Sequence, residues 1–448
     1  MGSKVLDVLV TSLLAIGKVG LVTIAGIIAG YYPKKEPLLD KETVRKISQL
    51  CSLLFLPCLV TASIGASLSV EKLAEFGPLL LFSVAAHILS ACLAWLCGKL
   101  LPVDRVVYKA VTIAIIFPNA GSLPLLLMES LCEQPLISAN FPTPAECFEE
   151  ATSMIFGYLL VWHLLFFLWG YYRLAECDEL DACKDDAARR QSLLLSSLHQ
   201  LEAKEMGEGE EDEGNTGEVE GGDVEDDREA EAAVGAMQQE AAATAKMQDI
   251  KASSPTRWEQ LCEVARSPPL IGTVVGIILA LLPQLQSLLF KEPKSPLRPV
   301  GAALQAIGSP LVVLQTLVMA GSLTHTQRAL QQNAGSQDHE DVKKSKSWSP
   351  LMTALVFLLC RLVVVPAAGY AVFYLLQHYT EVLGQNSLMQ LVLLLQLSMP
   401  SAQLVLVTLN HLGVQNMATK LAQLYIYQYL ASVLTMPGWS ALALALVY

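Results

Sequence analysis

Ten apolar stretches dominate the sequence, in two groups of five on either side of one polar segment. They cover approximately residues 8–32, 48–69, 77–101, 107–131 and 151–172, and then 268–290, 300–323, 350–376, 387–411 and 420–446. About 20 apolar residues cross the hydrocarbon core of a bilayer as one α-helix. No strand alternation is seen, and helices are then the remaining way to satisfy the backbone in lipid. The sequence therefore predicts an all-α polytopic membrane protein with ten transmembrane helices.

The composition excludes several other classes of protein. Hydrophobic residues make up 53% of the chain and charged residues only 16%. The net charge of −12 is local, because residues 173–266 hold 10 Lys and Arg against 25 Asp and Glu. No basic patch supports nucleic-acid binding. The ten cysteines form no CxxC pair, and no nucleophile elbow, HExxH or phosphate loop is found, so we expect neither a cofactor nor an enzyme.

The polar segment divides the chain into three regions. Residues 1–172 are the first five-helix repeat, 173–266 an acidic loop, and 267–448 the second five-helix repeat. The loop has few aromatic residues and many charges, a composition typical of disordered segments. Alternate loops carry 23 Lys and Arg on one side of the membrane and 5 on the other. This asymmetry places the central loop in the cytosol and both termini on the opposite side.

Two short motifs in the central loop are typical of kinase sites. They are Arg189-Arg190-Gln191-Ser192 and Ser254-Pro255. A kinase is therefore one candidate partner of the loop, and chance occurrence of so short a pattern is the alternative. Membrane lipid is the other expected partner. The oligomeric state stays open, with a homodimer as one alternative.

The fourth and ninth stretches both contain polar segments broken by proline. These are Phe117-Pro118-Asn119-Ala120-Gly121-Ser122-Leu123-Pro124 and Ser398-Met399-Pro400-Ser401-Ala402-Gln403. Equivalent breaks in two groups of five helices indicate two inverted repeats, the plan of many secondary transporters. Proline releases backbone groups from the helix ladder, and in lipid these groups must meet protein, water or ligand.

The N-termini of half-helices at such breaks favour an anion. Asn119, Ser122, Ser401 and Gln403 add polar side chains at the same depth. We therefore predict that these broken segments form a site for a small carboxylate-bearing solute near the middle of the bilayer. The alternative is that the prolines only shape helix packing.

With these residues in view, the sequence resembles the auxin efflux carrier family, and within it the PIN-LIKES (PILS) proteins. The family signature Gly-Asn-x-Gly-Asn-Leu-Pro of the fourth helix is matched by residues 118–124, with Pro118 and Ser122 in place of the first glycine and the second asparagine. In the ninth helix, a glutamine followed four residues on by Pro-Pro-Ala is matched by Gln396 and by residues 400–402. Further matches are Lys18, Pro57, Trp162, Pro269 to Pro283, Pro310, Gly321, Arg361 and Pro366.

The resemblance implies a ten-helix carrier similar to bile-acid symporters and sodium/proton antiporters. Helices four and nine would cross at the substrate site, where the carrier works by alternating access. The implied site residues are Pro118, Asn119, Gly121, Ser122, Pro124, Gln396, Pro400, Ser401 and Gln403, together with Lys18 in the first helix. For Lys18, attraction of an anion and capping of released carbonyls both stay open. For Arg361 we expect a structural partner.

The implied substrate is an auxin such as indole-3-acetic acid, and the implied location is the membrane of the endoplasmic reticulum, with the plasma membrane as the alternative. A carrier of the same fold for another anion, such as a dicarboxylate, and a non-transporting sensor or scaffold stay open. Cys132 and Cys147 resemble cysteines of PIN-LIKES proteins at the ends of a non-cytosolic loop, so we expect them to form a disulfide.

Overall fold

The computed structural model describes residues 20–32, 37–100, 105–176, 266–334, 350–380, 383 and 386–448, together with Val10 and Gly17. Lys18, nearly all of the acidic segment and both kinase-like motifs lie outside the described residues. Within the described part the regular elements are all helical, and the only strand-type pairing is one isolated bridge. The predicted all-α class is thereby confirmed.

The main helices are named here in chain order. They are α1 (Gly20–Tyr31), α2 (Lys41–Ser67), α3 (Gly77–Leu100), α4 (Arg105–Ile116), α5 (Ser122–Cys132), α6 (Pro144–Glu176), α7 (Pro268–Leu281), α8 (Pro283–Lys291), α9 (Arg298–Gly308), α10 (Leu311–Ala334), α11 (Leu351–Tyr379), α12 (Ser387–Ser398), α13 (Gln403–His411) and α14 (Gln415–Val447). Short helical turns at Val70–Glu75 and Pro135–Ser138 lie between them.

Among the described residues, six helical stretches are long and apolar enough to cross a membrane: α2, α3, α6, α11, α14 and Arg298–Thr324, which joins α9 to α10. A seventh is the pair α7–α8, which bends by 104° at its break. The shorter apolar helices include α1, α5 and α12. The fourth and ninth predicted spans thus consist of two short helices each, α4–α5 and α12–α13. The chain is a polytopic membrane protein.

The bend between α7 and α8 lets one side chain cap the end of another helix. Gln286 in α8 is buried and its Nε2 donates to the carbonyl oxygen of Gly65 at 2.8 Å and also to that of Leu68. These carbonyls belong to the last turn of α2 and the residue after it, where no further helical amide can reach them. The α7–α8 pair therefore closes the C-terminus of α2.

Helices α2 and α7 approach each other closely at a glycine. A Cβ atom at Gly272 would lie 2.7 Å from the carbonyl oxygen of Pro57, so no larger residue fits without moving the backbone. Thr61 Oγ1 donates to the Gly272 carbonyl oxygen at 3.0 Å across the same contact. The two helices are thereby held together by packing and by one interhelical hydrogen bond.

A π-helical turn in α11 precedes Pro366 and includes Arg361. The turn covers Cys360–Val364, and Pro366 follows at the start of the next α-helical segment. Pro366 has no amide hydrogen to offer the carbonyl oxygen of Leu362. Trp439 Nε1 of α14 donates to that oxygen instead, at 2.9 Å. The Leu362 carbonyl oxygen is therefore hydrogen-bonded to α14 and not to an amide within α11.

Candidate functional site at the crossing of two broken helices

The two predicted breaks lie directly against each other. Residues 117–121 separate α4 from α5, and residues 399–402 separate α12 from α13. Between them, Pro118 and Ser401 form an isolated antiparallel bridge. Its backbone hydrogen bonds run from Asn119 N to Pro400 O at 2.7 Å and from Ala402 N to Phe117 O at 2.9 Å. Backbone groups released from one helix are therefore satisfied by those of the other.

Pro124 explains a side-chain contact across the crossing. In a continuous helix, the amide of residue 124 would donate to the carbonyl oxygen of Ala120, but proline has no amide hydrogen. Gln396 of α12 fills this place, with Nε2 2.9 Å from the Ala120 oxygen. On the other side of the break, Trp162 Nε1 of α6 donates to the Pro118 oxygen at 3.0 Å. The carbonyl oxygens of Ala120 and Pro118 thus each accept from a side chain of another helix, and the Pro118 oxygen also accepts from the Ala120 amide.

Arg361 joins the C-terminal ends of the two half-helices that lead into the crossing. Its Nε and one terminal nitrogen lie 2.9 and 2.7 Å from the carbonyl oxygen of Met399, after α12. Its other terminal nitrogen lies 3.2 Å from the carbonyl oxygen of Ile115, near the end of α4. The side chain is 1% exposed, and the ion pairs found in the described residues do not include it. The partners of this buried cation are therefore helix-end carbonyls.

Asn119 and Ser122 form a short hydrogen-bonded chain that reaches α14. Ser122 Oγ donates to Asn119 Oδ1 at 2.9 Å, and Asn119 Nδ2 donates to Tyr429 Oη at 3.1 Å. The Tyr429 hydroxyl donates in turn to the carbonyl oxygen of Ser401 at 3.0 Å. The two breaks are therefore connected through a tyrosine of a third element as well as directly.

Gln428 of α14 holds Ser401 by both its backbone and its side chain. Its Oε1 accepts from the Ser401 amide at 3.1 Å, and its Nε2 donates to Ser401 Oγ at 3.0 Å. Tyr425, one turn earlier, donates to the carbonyl oxygen of Ala402 at 2.9 Å. All three side chains that α14 contributes to the crossing are buried. The sequence analysis does not include these three residues in the predicted site. A signal was present, because Tyr425, Gln428, Tyr429 and Ser432 form a polar stripe at helical spacing in an apolar span.

Gln403 begins α13 and faces α10. Its Oε1 accepts from Thr316 Oγ1 at 3.1 Å, whereas the contact found for its Nε2 is Met319 Sδ at 4.0 Å. A thioether is a weak acceptor, so this amide retains donor capacity. The N-termini of α5 and α13 also have no side-chain cap. The crossing therefore offers donors for an acceptor-rich ligand.

Aromatic side chains form one wall beside the crossing. The Phe117 ring lies 5.3 Å from the Trp162 ring in an edge-to-face arrangement, and Trp162 stacks on Phe166 at 4.9 Å. The His87 ring packs against Phe117, with the ring centroids 5.5 Å apart. This wall is apolar and continuous with the break between α4 and α5.

Nine of the ten predicted site residues lie at or beside this crossing, and Lys18 is outside the described residues. Gly121 is the residue before α5, and Pro124 lies within its first turn. Gln396, Pro400 and Ser401 are contributed by α12 and the break after it. The geometry thus brings together residues that are almost 300 positions apart in the sequence.

Cys132 and Cys147 are joined by a disulfide between α5 and α6, with their Cα atoms 5.7 Å apart. They are 15 residues apart, and closing a loop of this length contributes about 3 kcal/mol to stability. We predict that non-reducing peptide mapping of membrane-derived protein will yield a linked Cys132–Cys147 peptide, with exposed Cys92 alkylated as the control. Recovery of both cysteines as alkylated thiols would contradict this pairing.

Comparison with known proteins agrees with the helical, membrane-embedded architecture. A family profile described as membrane transport protein matches residues 19–440. PIN-LIKES 2 of Arabidopsis thaliana is 23% identical over 90% of this chain and 88% of its own length, and PIN-LIKES 7 is 21% identical over 92% and 91%. An uncharacterized transporter of Schizosaccharomyces pombe is 24% identical over 79% of this chain and 78% of its own length. The chain therefore belongs to the membrane transport protein family of the auxin efflux carriers, as a relative of the PIN-LIKES proteins.

Proposed function

We propose that this transporter carries small organic anions, in particular auxin-type acids such as indole-3-acetic acid, by alternating access at the crossing of α4–α5 with α12–α13. The observation that carries the proposal is the distribution of charge at the crossing. Four half-helix ends meet there, two of them C-terminal and two N-terminal. Arg361 contacts the C-terminal pair, and the N-terminal pair has no side-chain cap.

The helix dipoles determine the sign of the net charge at the crossing. A helix end carries about half an elementary charge, positive at the N-terminus and negative at the C-terminus. The two C-terminal ends together amount to roughly one negative charge, which the guanidinium of Arg361 compensates. The two N-terminal ends remain, with roughly one positive charge between them. One carboxylate balances that charge, whereas a cation would be repelled.

The neighbouring side chains suit an acid with an aromatic ring. Gln403 Nε2 has only a weak thioether contact and is available to a carboxylate oxygen. The wall formed by Phe117, Trp162 and Phe166 offers rings against which a planar aromatic group can pack. The similarity to PIN-LIKES proteins favours an auxin over other aromatic acids.

The proposal includes a topology and a membrane. It counts α4–α5 and α12–α13 as one broken span each, and α7–α8 as a third interrupted span, which gives ten spans in two inverted repeats. Both termini would face away from the cytosol and the acidic segment would lie in it, as the distribution of lysine and arginine predicts. The proposed location is the endoplasmic reticulum, with the plasma membrane as the alternative.

Uptake into vesicles that contain the purified protein tests this function. We predict saturable uptake of labelled indole-3-acetate, and a loss of about tenfold in Gln403→Ala and Asn119→Ala, because each change removes a polar group beside an uncapped helix end. Asn416→Ala, an exposed change at the start of α14, is the control and should transport normally.

The ligand panel separates the alternatives. Competition by malate but not by indole acids would replace the auxin assignment with a dicarboxylate carrier. Absence of both uptake and binding for every acid in the panel would contradict the carrier and favour a sensor or scaffold.

A further inference from the structure

We infer that Gln396 is a specificity-determining residue, whose side-chain oxygen accepts a hydrogen bond from an N–H or O–H group of the transported anion. This inference rests on the proposed function and narrows its substrate class to organic anions that also carry a hydrogen-bond donor. The evidence is the burial, orientation and position of one amide group.

Gln396 is completely buried, yet half of its amide is unpaired. Its exposure is 0%, and its Nε2 donates to the Ala120 carbonyl oxygen at 2.9 Å. No donor among the described residues reaches its Oε1. Buried side-chain oxygens are normally hydrogen-bonded, because an unpaired one loses its interaction with water and gains nothing in return. A bound group with a donor would remove this cost.

The orientation of the amide follows from its partner. A carbonyl oxygen only accepts hydrogen bonds, so the Gln396 nitrogen must face Ala120 and the oxygen must face away. Rotating the amide would bring two acceptors together. The Ala120 carbonyl is open to Gln396 because Pro124 cannot donate to it. Pro124 therefore determines the orientation of the Gln396 amide, and with it the position of the unpaired Oε1.

The position of the free oxygen places it within the proposed substrate site. Ala120 comes immediately before Gly121, the residue that precedes α5. The Gln396 amide thus lies beside one of the two positive helix ends that we assign to the carboxylate. When the carboxylate of an anion is bound at this helix end, the remainder of the molecule would lie near Gln396 Oε1. An indole N–H or a hydroxyl group can donate a hydrogen bond to that oxygen. A simple alkanoate or an aryl acid without a donor cannot.

Two buried histidines also have an unpaired ring nitrogen, His87 Nε2 and His163 Nδ1. Both rings pack against aromatic side chains. His87 Nδ1 donates to the Ser83 carbonyl oxygen at 2.7 Å, so its Nε2 is an acceptor in the neutral ring, but protonation of an imidazole turns such a nitrogen into a donor. The amide oxygen of Gln396 is an acceptor in every state, which makes it the more informative atom.

A matched pair of ligands tests the inference on the unchanged protein. Indole-3-acetate is compared with 1-benzothiophene-3-acetate, in which sulfur replaces the N–H and ring size is nearly preserved. In vesicles containing the full-length chain, we expect the benzothiophene acid to compete for uptake of labelled indole-3-acetate about tenfold or more weakly, because it leaves the buried acceptor unpaired.

A substitution then assigns the preference to Gln396. Gln396→Met keeps the length of the side chain and removes its acceptor, so the two acids should compete within about twofold of each other. Gln390→Met makes the same change at another buried position of α12 and should keep the wild-type ratio. If Gln396→Met does not fold, equal competition by the two acids in the wild-type chain would still overturn the inference.

The outcomes are distinct from a failure of the proposed function. Equal competition by the two acids in the wild-type protein would overturn the role of Gln396 and leave the anion carrier intact. If neither acid is bound or transported, the proposed function itself fails.

Discussion

Replacing Arg361 by glutamine is expected to abolish transport and to lower the stability of the protein by about 3 kcal/mol. The change removes donors from the carbonyl oxygens of Met399 and Ile115, both at the ends of half-helices. Hydrogen bonds to a charged group contribute about 1.5–3 kcal/mol each. Within the membrane, no water is available to donate a hydrogen bond to a carbonyl that has lost its partner. Uptake in vesicles and thermal unfolding in detergent measure the two effects.

The lysine variant separates charge from geometry at the same position. Arg361→Lys keeps the positive charge but lacks the planar fork that reaches two carbonyl groups at once, so we expect an intermediate stability and weak transport. Arg45→Gln removes an exposed arginine of α2 and should behave as wild type. Normal uptake and unchanged unfolding in Arg361→Gln would show that the ends of α4 and α12 do not depend on the guanidinium, and would remove the charge argument for an anion.

Gln428→Leu is expected to have the second largest effect, because one side chain satisfies two groups of Ser401. The leucine would leave the Ser401 amide and hydroxyl without their partners at 3.1 and 3.0 Å. Each unpaired buried group costs about 1–3 kcal/mol, so we expect a destabilisation of about 2 kcal/mol or more. Transport should fall at least tenfold, because Ser401 forms the bridge to Pro118.

A matched change on the same helix controls this prediction. Gln423 is half-buried and lies five positions earlier in α14, so Gln423→Leu makes the same substitution away from the crossing. We expect it to unfold and transport as wild type does. A Gln428→Leu protein with native unfolding temperature and native uptake would contradict the role assigned to α14.

The sequence was sufficient to predict the helical membrane class and the position of both breaks, for local reasons. Apolar length indicates a helix in lipid, and Pro118, Pro124 and Pro400 interrupt the backbone ladder wherever the chain is placed. That the breaks pair with each other was implied only by the family resemblance. No rule of local structure states that Asn119 donates to the Pro400 carbonyl.

The partners of the breaks could not be predicted from the sequence with the same certainty. Arg361 stands out as a charge within an apolar span, but its contacts with Met399 and Ile115 depend on how three helices meet. Gln428 and Tyr429 lie on a polar stripe that is readable in the sequence, although nothing in the stripe identifies Ser401 as its target. Pairings between distant helices are a property of the tertiary structure.

The bridge between Pro118 and Ser401 restricts how such a carrier can move. Parting the two interrupted helices would strip amide and carbonyl groups of their partners in a medium that supplies no replacement. A motion that keeps the bridge whole and moves the two interrupted helices together would instead change side-chain contacts with neighbouring helices, such as those with α10 from Thr316 to Gln403 and from Asn410 to Ser322. The substrate would then move together with its binding site, and access to the site would be controlled at the interface between the moving helices and their neighbours.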